Sequence, residues 1–329
     1  MFKLIQNGFI FDDPIPVPEC HASTILKTGK DRFVAAWFGG TKEANPDVMI
    51  WSSVYRNGKW SAPRCLTAEE GIQHWNPVLF RLDNKRIRLY YKLGYLIAQW
   101  KTMMLESTDE GETWIYLGEM VPGDVSGGRG PVKNKAIRTQ NGRILAPGST
   151  EELPWRPFVD VSDDNGETWT KCDIPLTGPH AQDFNLIQPS LWESAPGKIH
   201  AFIRSNRGRI YRSDSEDNGS SWCNAYCTEL PNNNSGLDCV QMENGHLILV
   251  CNPIGLNWGA RTPYPFCFPM ITAPLSPRCL IWLQKITTVN SPILPSLPTK
   301  TISTLPIPGA GKKSVLLNWK NAEIWRLSL

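Results

Sequence analysis

The chain has 329 residues, 41% of them hydrophobic and 20% charged, with a formal net charge of +3 and 14 tryptophans. That charge is too small to point to nucleic acid, and no apolar stretch is long enough to read as a membrane span. Residues 1–8 meet polar side chains too soon for a secretion signal, so a cytoplasmic location is the expectation. The 9 cysteines contain no C-x-x-C pair, and Cys223 and Cys227 are spaced C-x-x-x-C; neither a metal site, a disulfide framework nor a cofactor is expected.

In chain order, two short apolar segments, 2–5 and 9–11, are candidates for a strand that pairs with the final sheet. Strands that read as buried then recur after turns, at 32–37 (RFVAAW), 86–91 (RIRLYY), 143–147 (RILAP), 198–203 (KIHAFI) and 246–251 (HLILVC). Out of phase with them runs the pattern S-x-D-x-G-x-[ST]-W, at 107–114, 162–169 and 215–222. In each copy the aspartate is expected to cap a tight turn, the glycine to take a backbone angle closed to other residues, and the tryptophan to pack beneath. Trp60 ends a degenerate fourth copy, 54 residues before Trp114, which stands 55 before Trp169 and 108 before Trp222.

A repeat of about 54 residues that is all strand and turn, with an aromatic plug per unit, predicts a propeller blade, and no helical pattern interrupts it. Six such units fit the length. The expected fold is therefore one all-β, six-bladed β-propeller, with blades one to five regular over residues 1–263 and a corrupted sixth blade over 264–329.

After Pro263 the regularity stops, and Pro292, Pro295, Pro298, Pro306 and Pro308 fall where central strands should lie. A proline-rich tail accounts for that composition. A frameshift near Pro263 accounts for more. If each true codon is the last base of one codon plus two of the next, Met270 followed by Ile271 forces an aspartate codon or its glutamate neighbour. Residues 268–277 then permit S-D-D-N-G-T-S-F, another turn box about 54 residues after Asp217. The same frame permits F-S-Y-P-A over 290–295 and D-I-Y-L-T-Y-T-W over 301–309, the two strands a sixth blade needs.

The boxes, their spacing and the surrounding strands resemble the Asp-box (BNR) repeats of the sialidase superfamily over residues 15–263. The bacterial sialidase-like branch is the nearer likeness, through 21–25 (HASTI), 37–43 (WFGGTKE), 74–77 (HWNP), 133–135 (KNK), 188–191 (QPSL) and 257–263 (NWGARTP). The resemblance implies a glycan site where the inner strands begin, around the axis, with the boxes peripheral and structural. A sialidase needs arginines for the sugar carboxylate, a carboxylic acid near the glycosidic oxygen, and a tyrosine nucleophile beside a glutamate base. By the resemblance, Arg204 and Arg261 match two of the three arginines, and Glu43 or Asp47 supplies the acid. The family's first arginine lies in an R-I-P motif, where this chain offers Cys20-His21-Ala22. Its activating glutamate would fall near Gln188, and its tyrosine exists only in the altered frame, across Pro292 and Ile293.

His21 opens an inner strand, either facing ligand as a third candidate catalytic residue or packed as a core histidine. Asn76, Lys135 and Gln188 join Arg204 and Arg261 as candidate substrate-binding residues. Lys133 and Lys135 either meet an acidic sugar or form a solvated charge pair, and Trp75 is either a sugar platform or blade core. Arg207 and Arg209 are expected as surface turn residues. Two function classes stand: an exo-acting glycosidase of sialidase type for an acidic carbohydrate, or a non-catalytic propeller, including a decayed enzyme, that binds one. Nucleic-acid and membrane partners are not expected.

Overall fold

In the computed structural model the described residues are 3–259 apart from 12–16, 68–70, 180, 243–244 and 246, with the backbone of short strands at 272–273, 279–283, 314–318 and 323–328 beyond; side chains of 3–9 and of residues past 259 are outside the description. The division expected at residue 263 lies outside the described residues.

The chain is built of strands, with two short 3-10 turns among the described residues. β1 (Lys3–Phe9) runs parallel to Glu323–Ser328, which pairs antiparallel with Ser314–Asn318. The first blade is β2 (Glu19–Gly29), β3 (Arg32–Gly40) and β4 (Met49–Arg56), with β5 (Lys59–Trp60) and β6 (Arg64–Cys65) both on the free edge of β4. The second is β7 (His74–Arg81), β8 (Ile87–Leu93), β9 (Lys101–Ser107) and β10 (Ile115–Glu119). The third is β11 (Ile137–Arg138), β12 (Ile144–Thr150), β13 (Arg156–Ser162) and β14 (Thr170–Asp173). The fourth is β15 (Leu186–Ala195), β16 (Lys198–Ser205), β17 (Arg209–Ser215) and β18 (Tyr226–Pro231).

These four sheets are antiparallel meanders packed side by side, the first strand of blade one on that of blade two (β2 on β7) and the second strand of blade three on the first of blade four (β12 on β15). Where five regular blades were expected, the fifth sheet departs from the pattern. Its β19 (Asp238–Gln241) and β20 (Leu247–Cys251) pair antiparallel, but β20 then runs parallel to Cys279–Leu283. Pro253, Pro263, Pro265 and Pro269 follow β20 in sequence, and residues without an N–H cannot supply the next central antiparallel strand.

The three boxes sit between the third and fourth strands of blades two to four, with the geometry their sequence predicts. Asp164 accepts hydrogen bonds from Ser162 Oγ at 2.7 Å, Thr168 N–H at 2.9 Å and Thr168 Oγ1 at 2.5 Å. Asp109 and Asp217 repeat this on Thr113 and Ser221. Each box also locks onto the preceding blade. A Cβ at Gly111 (φ +92°) would meet Val34 Cγ2 at 2.7 Å, and one at Gly219 would meet Leu145 Cδ2 at 2.9 Å. Arginines of the preceding blade clamp the turn: Arg64 donates to the Glu112 carbonyl at 2.8 Å, and Arg143 to Ser220 Oγ at 2.6 Å. The motif is therefore an inter-blade fastener as well as a turn.

Between blades the core is aromatic and β-branched, as strands covered on both faces require. Trp37, Tyr90, Tyr91 and Phe202 are fully buried. Trp75 belongs here too: it is buried, its Nε1 donates to the Gly94 carbonyl at 3.1 Å, and its ring lies 5.5 Å from Trp100. Of its two sequence readings, blade core is the one observed.

Candidate active site in the propeller channel

One irregularity recurs where the first strand of each blade begins. Ala22 (φ +46°), Asn76 (φ +44°), Lys133 (φ +63°) and Gln188 (φ +54°) adopt left-handed backbone, and register shifts mark the bulge in β2, β7 and β15. Left-handed conformation is costly for residues with a Cβ and persists where the surrounding structure over-determines it. Such bulges re-aim side chains at functional sites. The end of the second strand lies opposite: His21 pairs with Phe38, Trp75 with Lys92, and Ile187 with Arg204. Corresponding corners of successive blades thus carry the polar groups that sequence reasoning singled out.

In blade four, Arg204 is buried. Its Nε donates to Asn234 Oδ1 at 2.8 Å and its Nη1 to Gln188 Oε1 at 3.2 Å. The rings of Trp155 and Trp258 lie 5.8 and 5.7 Å from its guanidinium carbon. Gln188 turns its amide nitrogen to Glu151 Oε1 at 2.9 Å, and Ser149 Oγ donates to the same oxygen at 3.2 Å. Burial raises the Glu151 carboxyl above its ordinary value, outweighing the opposing pull of Gln188, Arg204, Ser149 and Lys92.

Beside this group lie the two lysines. Lys133 Nζ donates to Asn134 Oδ1 and to the Leu237 carbonyl, each at 2.8 Å. Burial draws its pKa down to about 8, with Asp238 opposing and Arg204 assisting. Lys135 is committed to Asp238 at 2.8 Å and to the Cys239 carbonyl at 2.8 Å, so it ties the third blade to the fifth. Asn134 crosses to the Gln188 carbonyl at 2.8 Å. The lysine pair is therefore not simply solvated. Lys92, at the equivalent corner of blade two, is buried, donates to the Arg129 carbonyl at 2.6 Å, and is drawn down to about 8 by desolvation.

In blade one, His21 is buried, stacks on Phe38 at 5.4 Å, and has Nε2 3.5 Å from a Glu19 carboxylate oxygen. Glu19 also accepts the Glu43 N–H at 2.8 Å; that bond leads the effects that lower its pKa, burial opposes, and His21 adds to the lowering. Glu43 is half-buried in the loop that Glu19 anchors. Asp47 is exposed and braces that loop, accepting Thr41 N–H at 2.8 Å and Thr41 Oγ1 at 2.9 Å. Asn76 is half-buried at the bulge of β7.

The structure thus brings Gln188 and Arg204 into direct contact, groups His21 with Glu43 through Glu19, and places Lys135 in an inter-blade ion pair. Arg261 lies outside the described residues. Arg209 is exposed against Glu229 at 3.1 Å but opens β17 rather than a turn, and Arg207 is an exposed loop residue over Phe184; both lie on the surface as expected. Sequence reasoning missed Glu151, Glu19, Asn234, Trp155 and Trp258. Glu151 was within reach: it follows the second strand of blade three, as Arg204 ends that of blade four and Glu43 follows that of blade one.

Four meander blades, three of them with a bulged first strand and each with a polar corner, define a β-propeller of sialidase-like architecture. The chain belongs to the BNR repeat-like domain family, which matches residues 31–263. A protein of unknown function from Dyadobacter fermentans is similar in structure, with a TM-score of 0.61 and 16% identity over 75% of this chain and 78% of that one. The NanB sialidase of Streptococcus pneumoniae gives a TM-score of 0.57 and 12% identity over 75% of this chain, which spans 58% of the sialidase. The intramolecular trans-sialidase of Ruminococcus gnavus gives 0.55 and 12% identity over 72% of this chain and 78% of that one. No curated protein matches the chain. At these identities the likeness establishes the fold.

Proposed function

We propose that the chain is a six-bladed, glycan-active propeller that acts as an exo-glycosidase on an acidic sugar at the mouth of its channel. The observation that carries this reading is the Glu151–Gln188–Arg204 relay: a buried arginine suited to a carboxylate, beside a carboxyl that burial keeps protonated to higher pH than an ordinary glutamate. Arg204 holds the sugar carboxylate. Glu151 gives its proton to the glycosidic oxygen as the bond to the anomeric carbon breaks, and water supplies the hydroxyl that replaces the leaving group while its other proton restores the Glu151 carboxyl. Glu43 is the second carboxyl of the site, and His21 orients it through Glu19.

A second reading has one observation in its favour. Gln188 stands where a base would be needed and is already bonded on both sides. An amide cannot take a proton, so a site built on it suits a propeller that binds an acidic carbohydrate without cleaving it. Release of a fluorescent aglycone from sialoside and uronide substrates separates the two. Turnover that disappears in Glu151→Gln supports the glycosidase; retained sugar binding with no turnover in the parent chain supports the binding module.

A further inference from the structure

We infer that Ser194 is the nucleophile of a second site, with His200 as its base and Asp214 orienting His200, and that this site hydrolyses esters of short acyl groups. It stands apart from the glycan reading, because Ser194 ends β15 up to about 20 Å along the strand from the Gln188 corner. Ser194 Oγ lies 2.6 Å from His200 Nε2, and His200 Nδ1 lies 2.5 Å from Asp214 Oδ1. Strand pairing builds the group: His200 on β16 stands opposite Asp214 on β17 and Trp192 on β15. Ser194 falls at the register shift between Glu193 and Ala195, and such bulges re-aim side chains.

The surroundings select the tautomer. Asp214 also accepts the Tyr226 hydroxyl at 2.7 Å and Arg212 Nε at 2.8 Å, while Arg212 Nη2 lies 2.9 Å from His200 Nδ1. A guanidinium only donates and an ionised carboxylate only accepts, so Nδ1 can satisfy one of the two. Asp214 is the nearer. Burial raises its carboxyl, but the hydrogen bonds from His200, Tyr226 and Arg212 outweigh that and bring it down to about 2. The ionised acceptor holds the proton on Nδ1 and leaves the Nε2 lone pair facing the Ser194 hydroxyl, as a serine nucleophile requires. Stacking on Trp192 at 4.9 Å, in the core shared by blades four and five, fixes the ring. The side chains of His200 and Asp214 are 12% and 24% exposed, whereas Ser194 is open to solvent on the hairpin. A histidine that only linked strands would be satisfied by Asp214, whereas this one aims its free nitrogen outward. In the reaction Ser194 Oγ attacks the acyl carbon as its proton passes to Nε2, the ester C–O bond breaks, and the alcohol leaves with that proton. Water then attacks the acyl-serine, giving one proton to Nε2, and the acid departs as Ser194 recovers that proton. An open hairpin suits acyl groups of a few carbons, which need no apolar channel.

The test is labelling of the full chain with a fluorophosphonate probe, located by peptide mass spectrometry, together with turnover of p-nitrophenyl acetate and p-nitrophenyl octanoate. Ser194 should take the label about a hundredfold faster than Ser126, an exposed serine whose hydroxyl bonds Asp124 instead of a histidine. Ser194→Ala, at an exposed position, should keep the melting temperature and cut acetate turnover by about tenfold or more. His200→Gln should slow labelling of Ser194 about a hundredfold. Asp214→Asn should slow its limiting rate by a similar factor at an unchanged half-saturating probe concentration, which marks a positioning role rather than a binding one. Acetate should turn over faster than octanoate. Ser194→Ala keeps the test decisive should the other two variants lose the fold. Labelling of Ser194 no faster than of Ser126, or acetate turnover unchanged in Ser194→Ala, overturns the site. Faster turnover of octanoate overturns the short-acyl class.

Discussion

Arg204 donates from Nη1 to Oε1 of Gln188 at 3.2 Å, so Gln188 braces the arginine to which the proposed function assigns the sugar carboxylate. The same amide reaches Glu151 through its nitrogen. A neutral amide can bridge a cation and a carboxyl at once because it is donor and acceptor together. Lysine at position 204 would keep the charge and lose the fork that serves Asn234 and Gln188 simultaneously. Arg204→Lys should therefore weaken binding of an acidic sugar by about tenfold or more, read by titration, while Arg209→Lys, on the exposed Glu229 pair, should change it little. Equal binding by parent and Arg204→Lys would make Arg204 a structural residue.

Glu151 carries a pH signature. Its carboxyl is raised in the folded chain, so the folded state holds a proton that the unfolded state has released. Stability contributed by that proton is present below the ordinary glutamate value of 4.5 and is lost as pH rises from there through the raised value. Glu151→Gln removes the ionisation. Thermal melts from pH 4 to pH 8, approximate limits chosen to bracket that window, should show the variant gaining on the parent as pH rises and converging with it at the acid end. A constant offset across the series would show that Glu151 titrates as an ordinary surface carboxylate.

The boxes were legible because their chemistry is local. Ser162, Asp164, Gly166 and Thr168 satisfy one another within a single turn, so residue type and spacing suffice to predict the bonds. The Gln188 corner was legible only as a motif, since its left-handed backbone and its bond to Arg204 depend on two strands pairing. Lys135 shows the limit. Its partner Asp238 lies 103 residues away and meets it only once blades three and five come together around the axis. Glu151 was legible only by its place after the second strand of its blade and Trp258 only as part of the 257–263 motif, because neither carries a periodic signal and their contacts with Gln188 and Arg204 depend on strands meeting in the fold.

The fasteners give a graded prediction. Asp164→Asn keeps the shape of the turn and loses the carboxylate whose hydrogen bonds from Thr168 and Ser162 hold its pKa well below the aspartate range. Because the carboxylate is exposed, the loss should be on the order of 1 kcal/mol. Gly111→Ala should cost more, about 2 kcal/mol or above, since it combines positive φ with a Cβ 2.7 Å from Val34 in the neighbouring blade. Denaturant titration measures both. If Asp164→Asn proves the more damaging, the box is a turn motif alone and the inter-blade lock contributes little. Neither change should alter sugar binding, because the boxes lie on the third and fourth strands, away from the channel corners.

The last expectation concerns residues 264–329, where a shifted frame would continue the box period. In that frame the codons of Met270 and Ile271 would give an acidic residue one period after Asp217, and two further strand patterns would be permitted. A ring needs its last blade to cover the flank of the one before it, or strand edges and apolar faces stay open to water. In the chain as translated, β20 takes a parallel partner at Cys279–Leu283 in place of the antiparallel third strand that blades one to four possess. Resequencing the gene should reveal a lost or gained base near Pro263. The chain translated in the restored frame should be more soluble and melt several degrees higher, as even about 1–2 kcal/mol would produce. It should also regain the tyrosine encoded across Pro292 and Ile293, and with it any turnover that depends on a phenol nucleophile. An intact frame in the gene, together with cooperative melting of the present chain and protection of 264–329 from protease, would rule the frameshift out.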